Sequence, residues 1–190
     1  MMRAFGPAVL FLFLILFTVP AFSGQTGCPL YTDDTPPRAV AGVAVPEGFS
    51  CLSEESVAGE TPEYYLVPTE AESNVRFLYY TTGRGDPQTL AKAALSSYGM
   101  LYDEFSAGEI RQEAFAERDC LYFDYTCAYP TRTGDAMVYE QTAVAYIPVD
   151  GDAFIACIAS LAFDDPEDYF SGEEMHAFLM FAMQAIELCE

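Results

Sequence analysis

The chain has 190 residues, with 8 basic against 29 acidic side chains and a formal net charge of −21. Such a surface repels nucleic acid and anionic lipid, and it leaves too few cations for a groove that tracks a phosphate backbone. The length suits one domain once a leader is removed.

The leader comes first. Arg3 provides a positive start, an apolar run interrupted only by Thr18 covers residues 8–19, and Pro20 ends it. Ala21 and Ser23 supply the small residues that a signal peptidase requires at −3 and −1. The expectation is a signal peptide at residues 1–23, cleaved before Gly24. The alternative is an uncleaved anchor, but the run is shorter than the ~20 residues that a bilayer core needs. A secreted, periplasmic or cell-envelope protein follows, with no transmembrane helix after cleavage. Thr26-Gly27-Cys28 also fits the end of a lipoprotein signal, although Gln25 stands where an aliphatic residue belongs.

Residues 24–42 hold Pro29, Pro36 and Pro37 and read as a linker with little structure. A single α+β domain is expected over 43–190. Val43-Ala44-Val45-Pro46 reads as an edge strand, because proline cannot donate to a ladder. Residues 54–63 form a polar acidic loop, and 64–67 and 75–82 form two further strands. Asp86 then makes a good helix N-cap with Pro87 at the first helical position. Leu90, Ala94, Tyr98, Leu101, Tyr102 and Phe105 recur at helical spacing, and Gly108 is the expected stop.

A meander of antiparallel strands follows, at 110–115, 120–129, 137–147 and 153–163. Asp150-Gly151 reads as a two-residue hairpin turn, which would set Cys157 opposite Val144. In the last strand Ile155, Leu161 and Phe163 point one way, and Phe154 and Ile158 the other. A strand apolar on both faces has to be covered on both, which places it near the middle of the sheet. Ser171-Gly172-Glu173-Glu174 forms a capping box for a closing helix. Met175, Phe178, Leu179, Ala182 and Ile186 are its expected buried stripe. The fold class is therefore α+β, in the order β-β-β-α-β-β-β-β-α: an antiparallel sheet of about six to seven strands covered by helices.

Six cysteines, Cys28, Cys51, Cys120, Cys127, Cys157 and Cys189, fall after the leader. An even number in an exported chain favours disulfides, whose connectivity the spacing leaves open. Long-range bridges are the expectation, with Cys28 or Cys189 tying down an end. The alternative is that Cys127 and Cys157 are buried, reduced thiols filling a core. Cys120 and Cys127 differ by an odd step, so a regular strand points them to opposite faces.

No organised reactive set is legible. His176 is the single histidine and sits on the flank of the last helix. Ser50 lies in Gly48-Phe49-Ser50-Cys51-Leu52, where Leu52 replaces the glycine of a nucleophile elbow. There is no C-x-x-C pair and no zinc-type spacing. Abundant carboxylates leave a secreted hydrolase with paired acids as an alternative, without the tryptophan platform such sites usually add. Asp164-Asp165-Pro166-Glu167-Asp168 is the densest acidic cluster, and weak calcium binding is its sharper reading, a solvated loop its plainer one. Arg84-Gly85-Asp86 matches an adhesion tripeptide, but Asp86 already serves as a helix cap. Tyrosine suits positions with one buried and one wet end, and Tyr122 and Tyr139 are the ones singled out.

Val45-Pro46-Glu47-Gly48-Phe49, a helix near the middle, the four-strand meander and the closing amphipathic helix together resemble the PsbP-like family and its bacterial DcrB-like relatives. The likeness implies a sheet with helices on both faces. It also implies a largely non-catalytic protein that acts by binding, with no catalytic set to carry over. The strong acidity and the six cysteines depart from that pattern. The functional expectation is an exported, non-enzymatic domain that binds a protein or small ligand, with no cofactor and no nucleic acid.

Overall fold

The structure, a computed structural model, describes residues 28–32, 37–54, 63–70 and 73–189. The expected signal peptide lies outside the described residues. The elements run β1 (Cys28–Tyr31), β2 (Ala39–Val43), β3 (Phe49–Glu54), β4 (Glu63–Pro68), β5 (Val75–Arg84) and α1 (Pro87–Leu101). They continue β6 (Glu104–Ala107), β7 (Arg111–Phe115), β8 (Arg118–Pro130), β9 (Met137–Pro148), β10 (Ala153–Phe163), α2 (Gly172–Gln184) and β11 (Ile186–Leu188).

The larger sheet has eight strands in the order β3-β4-β5-β10-β9-β8-β6, with β7 also paired to β8. β7 and β6 share one side of the long strand β8, Arg111 pairing with Tyr122 and Phe105 with Cys127. A second sheet of three strands, β1-β2-β11, is separate. The α+β class and the antiparallel pairing hold, but the expected six to seven strands become eight plus three. The added strands are short. β1 and β2 up to Gly42 fall in the stretch read as a linker, the edge strand expected at 43–46 is reduced to Val43 at the end of β2, and β11 takes Ile186 out of the expected helix stripe. Strands of three to five residues carry almost no periodic signal, and these exist because distant backbones pair, as Val43 does with both Cys28 and Ile186.

α1 begins as its sequence dictates. Asp86 accepts from the Thr89 backbone N–H at 2.9 Å, and Pro87 occupies the first turn. It ends sooner than Gly108. Tyr102 is already extended (φ −116°, ψ 131°), and residues 104–107 join the sheet. Gly108 has a different use. A Cβ there would lie 2.0 Å from Asp124 Oδ1, and its N–H donates to the Asp124 carbonyl at 3.0 Å. α2 carries the expected capping box between Ser171 and Glu174. Its buried face is Met175, Phe178, Leu179, Phe181, Ala182 and Met183.

The β9–β10 hairpin is one residue longer than a two-residue turn. Pro148 pairs with Phe154, so Cys157 faces Ala145 and Ile158 faces Val144. Gly151 at φ +59° takes the left-handed position of the longer loop. The β7–β8 turn uses two consecutive left-handed residues, Ala116 and Glu117 (φ 47° and 62°).

β10 is the central strand, between β5 and β9, and it is buried on both faces as expected. Ile155, Cys157, Ala159, Leu161 and Phe163 enter a large core with α2 and the small sheet. On the other face Ile158 packs against a smaller core of Ala91 from α1 with Leu121, Phe123 and Val144. Ile155 is 0% exposed and Phe154 is 6% exposed. The expected α1 stripe is shifted: Leu101 is exposed, and Ala91 takes the buried position.

Two glycines test this packing. The Phe154 ring lies across Gly83, where a Cβ would meet Cζ at 2.5 Å. Gly83→Ala is expected to destabilise by about 1–3 kcal/mol through overpacking. Gly99, inside α1, would find only Phe105 at ordinary contact, 3.4 Å. Gly99→Ala is therefore expected to stabilise by about 0.5–1 kcal/mol. Urea denaturation of both variants checks the opposite signs.

Candidate functional site

Glu140 of β9 is the one buried carboxylate among the described residues. Its Oε2 accepts from Arg76 of β5 and from the Tyr129 hydroxyl at 2.7 Å. Its Oε1 accepts from Thr142 and Ser160, each at 3.0 Å. Arg76 reaches across β10 because the intervening residues there, Ser160 and Ala162, are small. Every oxygen lone pair that a reaction would use is thus engaged by a donor. This knot ties four strands together, and its members were not singled out from sequence. The available signal was an acid in the middle of an apolar strand, flanked by Tyr139, Gln141 and Thr142.

His176 of α2 lies against the other face. Its Nε2 is 3.8 Å from Glu113 Oε1 and forms no hydrogen bond among the described residues. Its ring meets Tyr122 edge-on at 5.4 Å, and Arg111 stacks over the same tyrosine at 4.4 Å. Tyr122 donates to Asp124 Oδ2 at 3.0 Å. Burial and the Asp124 charge push its hydroxyl pKa up to about 12, so it stays protonated at physiological pH. The histidine therefore faces an acid and an aromatic ring, not a nucleophile.

The remaining positions read from sequence are dispersed. Ser50 is paired with Val67 in the β3–β4 ladder. Asp165 caps a short 3₁₀ turn, Pro166–Asp168, by accepting from Glu167 N at 2.9 Å. No group of three or more acidic, histidine or cysteine side chains converges as a cation site among the described residues. Arg84 pairs with Asp152 at 2.8 Å, while Asp86 caps α1, so that tripeptide is occupied by the fold. Tyr139 packs edge-on against Tyr169 at 6.5 Å.

The cysteines divide by environment. Cys120, Cys127 and Cys157 are buried, Cys28 and Cys51 half-buried, and Cys189 exposed. Burial raises the thiols of Cys120, to about 11, and of Cys127, to about 12. No pair stands at disulfide bonding distance among the described residues. Cys28 Sγ and Cys51 Sγ are in contact at 3.1 Å.

Among the described residues, a cleft of ≈ 300 Å³ that could hold a ligand lies at the seam between the two sheets. Its walls include Arg38, Val40, Arg118, Asp150, Leu188 and Cys189. Two of the chain's 8 basic residues therefore share one concavity. Arg38 pairs with Asp150 at 2.6 Å, and both are more than half exposed. Arg118 donates through Nη1 to the carbonyls of Pro148 (3.0 Å) and Val149 (2.9 Å). Those bonds anchor its guanidinium to the β9–β10 loop, and it joins no ion pair among the described residues. A guanidinium pinned on one side and lacking a carboxylate partner is prepared for a planar anion.

No family model matches the chain, so none supports membership of the PsbP-like or DcrB-like group, and no curated protein matches it. Among solved structures it is similar to LpqN, described as involved in cell envelope biogenesis of Mycobacterium tuberculosis. That likeness has 14% identity over 90% of each chain and a TM-score of 0.42.

The Glu140 knot makes a quantitative prediction. Arg76→Met leaves a buried carboxylate short of its charged donor and is expected to cost about 1–3 kcal/mol. Glu140→Gln added to it is expected to cost less than the sum of the two single changes, because both act on one network. A double-mutant cycle by denaturant titration measures the coupling, and strict additivity would remove Arg76 from the knot.

Proposed function

We propose that the chain is an exported, non-enzymatic binding domain of the cell envelope or the space outside it. Its ligand is a small molecule or chain end bearing a carboxylate or phosphate, seated in the Arg38–Arg118 cleft. The carrying observation is Arg118: a guanidinium fixed to two loop carbonyls, beside a second arginine, in a chain of net charge −21. In so acidic a molecule, long-range attraction of an anion is absent. With Arg38 paired to Asp150, Arg118 is the uncompensated cation of the concavity and supplies the local field that recognition of an anion requires.

Two further observations support a binding role over a hydrolytic one. The buried Glu140 has both oxygens engaged by donors from its own sheet. His176 is directed at Glu113 and Tyr122 and not at a hydroxyl or thiol nucleophile. The apolar run at residues 8–19 supports export, and no helix among the described residues is long and apolar enough to cross a membrane.

Titration calorimetry and thermal melting against a panel of small carboxylates and phosphates test the reading. At least one member is expected to raise the melting temperature, with an affinity that falls as salt is added. Arg118→Ala is expected to abolish that shift. Arg118→Lys, which keeps the charge but not the fork, is expected to weaken it about tenfold. A panel with no effect on the wild-type protein, or an Arg118→Ala variant that binds as well, would overturn the assignment.

A further inference from the structure

We propose that Cys28 and Cys51 form a disulfide that fastens β1 of the small sheet to β3, the edge strand of the large sheet. Their sulfur atoms lie 3.1 Å apart. Smaller carbon atoms come to rest at about 3.5–4.0 Å, so these two sulfurs are already closer than an ordinary packing contact. Both side chains are half-buried and packed against the larger core.

The approach is set by the backbone. Tyr64 of β4 donates its hydroxyl to the Pro29 carbonyl at 3.0 Å. Thr82 of β5 donates to the Tyr31 carbonyl at 2.6 Å. β1 is thus held on either side of Leu30, which is 0% exposed, and Cys28 is carried to the sheet edge by that docking. Cys51 is presented there by its pairing with Leu66. The other cysteines lack this geometry: three are buried in strands and Cys189 is exposed near the end of the chain.

The two strands also explain why a staple is useful. β1 and β3 are each the outermost strand of their sheet. An outermost strand presents unpaired backbone groups and is the first to fray. Cys28 and Cys51 are 23 positions apart, so the bond would close a loop of moderate length and restrict the unfolded chain accordingly.

The chemistry is thiol–disulfide exchange with a protein disulfide of the export compartment. One cysteine thiolate attacks the oxidant's disulfide and forms a mixed disulfide. The second thiolate displaces the oxidant, forming the Cys28–Cys51 bond. The oxidant leaves as a dithiol, taking both electrons, and the two protons that the cysteines gave up end on its sulfurs. Lipidation of Cys28 would consume the same sulfur as a thioether, so bond and lipid exclude one another.

The test uses the protein as exported by a producing cell, with free thiols blocked at harvest. Non-reducing peptide mapping is expected to recover the Cys28 peptide joined to the Cys51 peptide. The intact mass is expected to lie two hydrogens below the all-thiol value, with Cys120, Cys127, Cys157 and Cys189 taking label after unfolding. Reductant is expected to lower the melting temperature of the wild-type protein by several degrees and to leave Cys51→Ser unmoved. Label on both Cys28 and Cys51 without reductant, a lipid on Cys28, or either residue joined elsewhere would overturn the proposal. The map of the wild-type protein decides this even where the serine variant does not fold.

Discussion

The structure depends on one constraint: β10 has no wet face. Apolar side chains leave it in both directions, so both sides of the large sheet need a cover. α2 and the three-stranded sheet supply one cover, and α1 supplies the other. The two covers are unequal. Behind α2 the core is extensive, with large residues from Leu161 and Phe163 to Met175 and Phe178 set among alanines such as Ala143, Ala145 and Ala159. Under α1 the apolar cluster is small, and tyrosines and the Glu140 knot occupy the rest of that face. The knot is what lets a polar group lie beside a central strand. Four donors stabilise the carboxylate that would otherwise be stranded away from water.

Charge is distributed to match. Among the described residues Glu140 is the one buried acid, and the others keep access to solvent, where repulsion opposes compactness. The few arginines are placed with economy. Arg38, Arg76 and Arg84 each pair with a named acid, and Arg111 also lies over an aromatic ring. Arg118 is anchored instead to carbonyls at the seam between the sheets. That seam exists only because the ends of the domain, β1–β2 and β11, assemble into a sheet of their own beside the β9–β10 loop.

Much of this was legible in the residues. The Asp86-Pro87 cap, the Ser171–Glu174 capping box, the limits of β10 and its two apolar faces follow from local chemistry that any context would respect. Three features were not. The β9–β10 loop is one residue longer than Asp150-Gly151 implied, because Asp152 enters the turn. Phe105 continued a helical stripe on paper, yet it is drawn into the sheet by pairing with Cys127. Residues 28–31 and 39–42, in the stretch read as a linker, are strand, because β2 gains partners on both edges.

The sequence by itself determined an acidic, α+β chain with a leader-like start, two capped helices and a doubly apolar central strand. Alternation, capping and composition are local or additive properties, and they survive without coordinates. Tertiary structure alone decided the second sheet, the Arg76–Glu140–Tyr129 knot, the Cys28–Cys51 contact and the Arg38–Arg118 cleft. Each brings together residues far apart in the chain, and such meetings arise from how strands pair and layers stack, which no short window of sequence encodes.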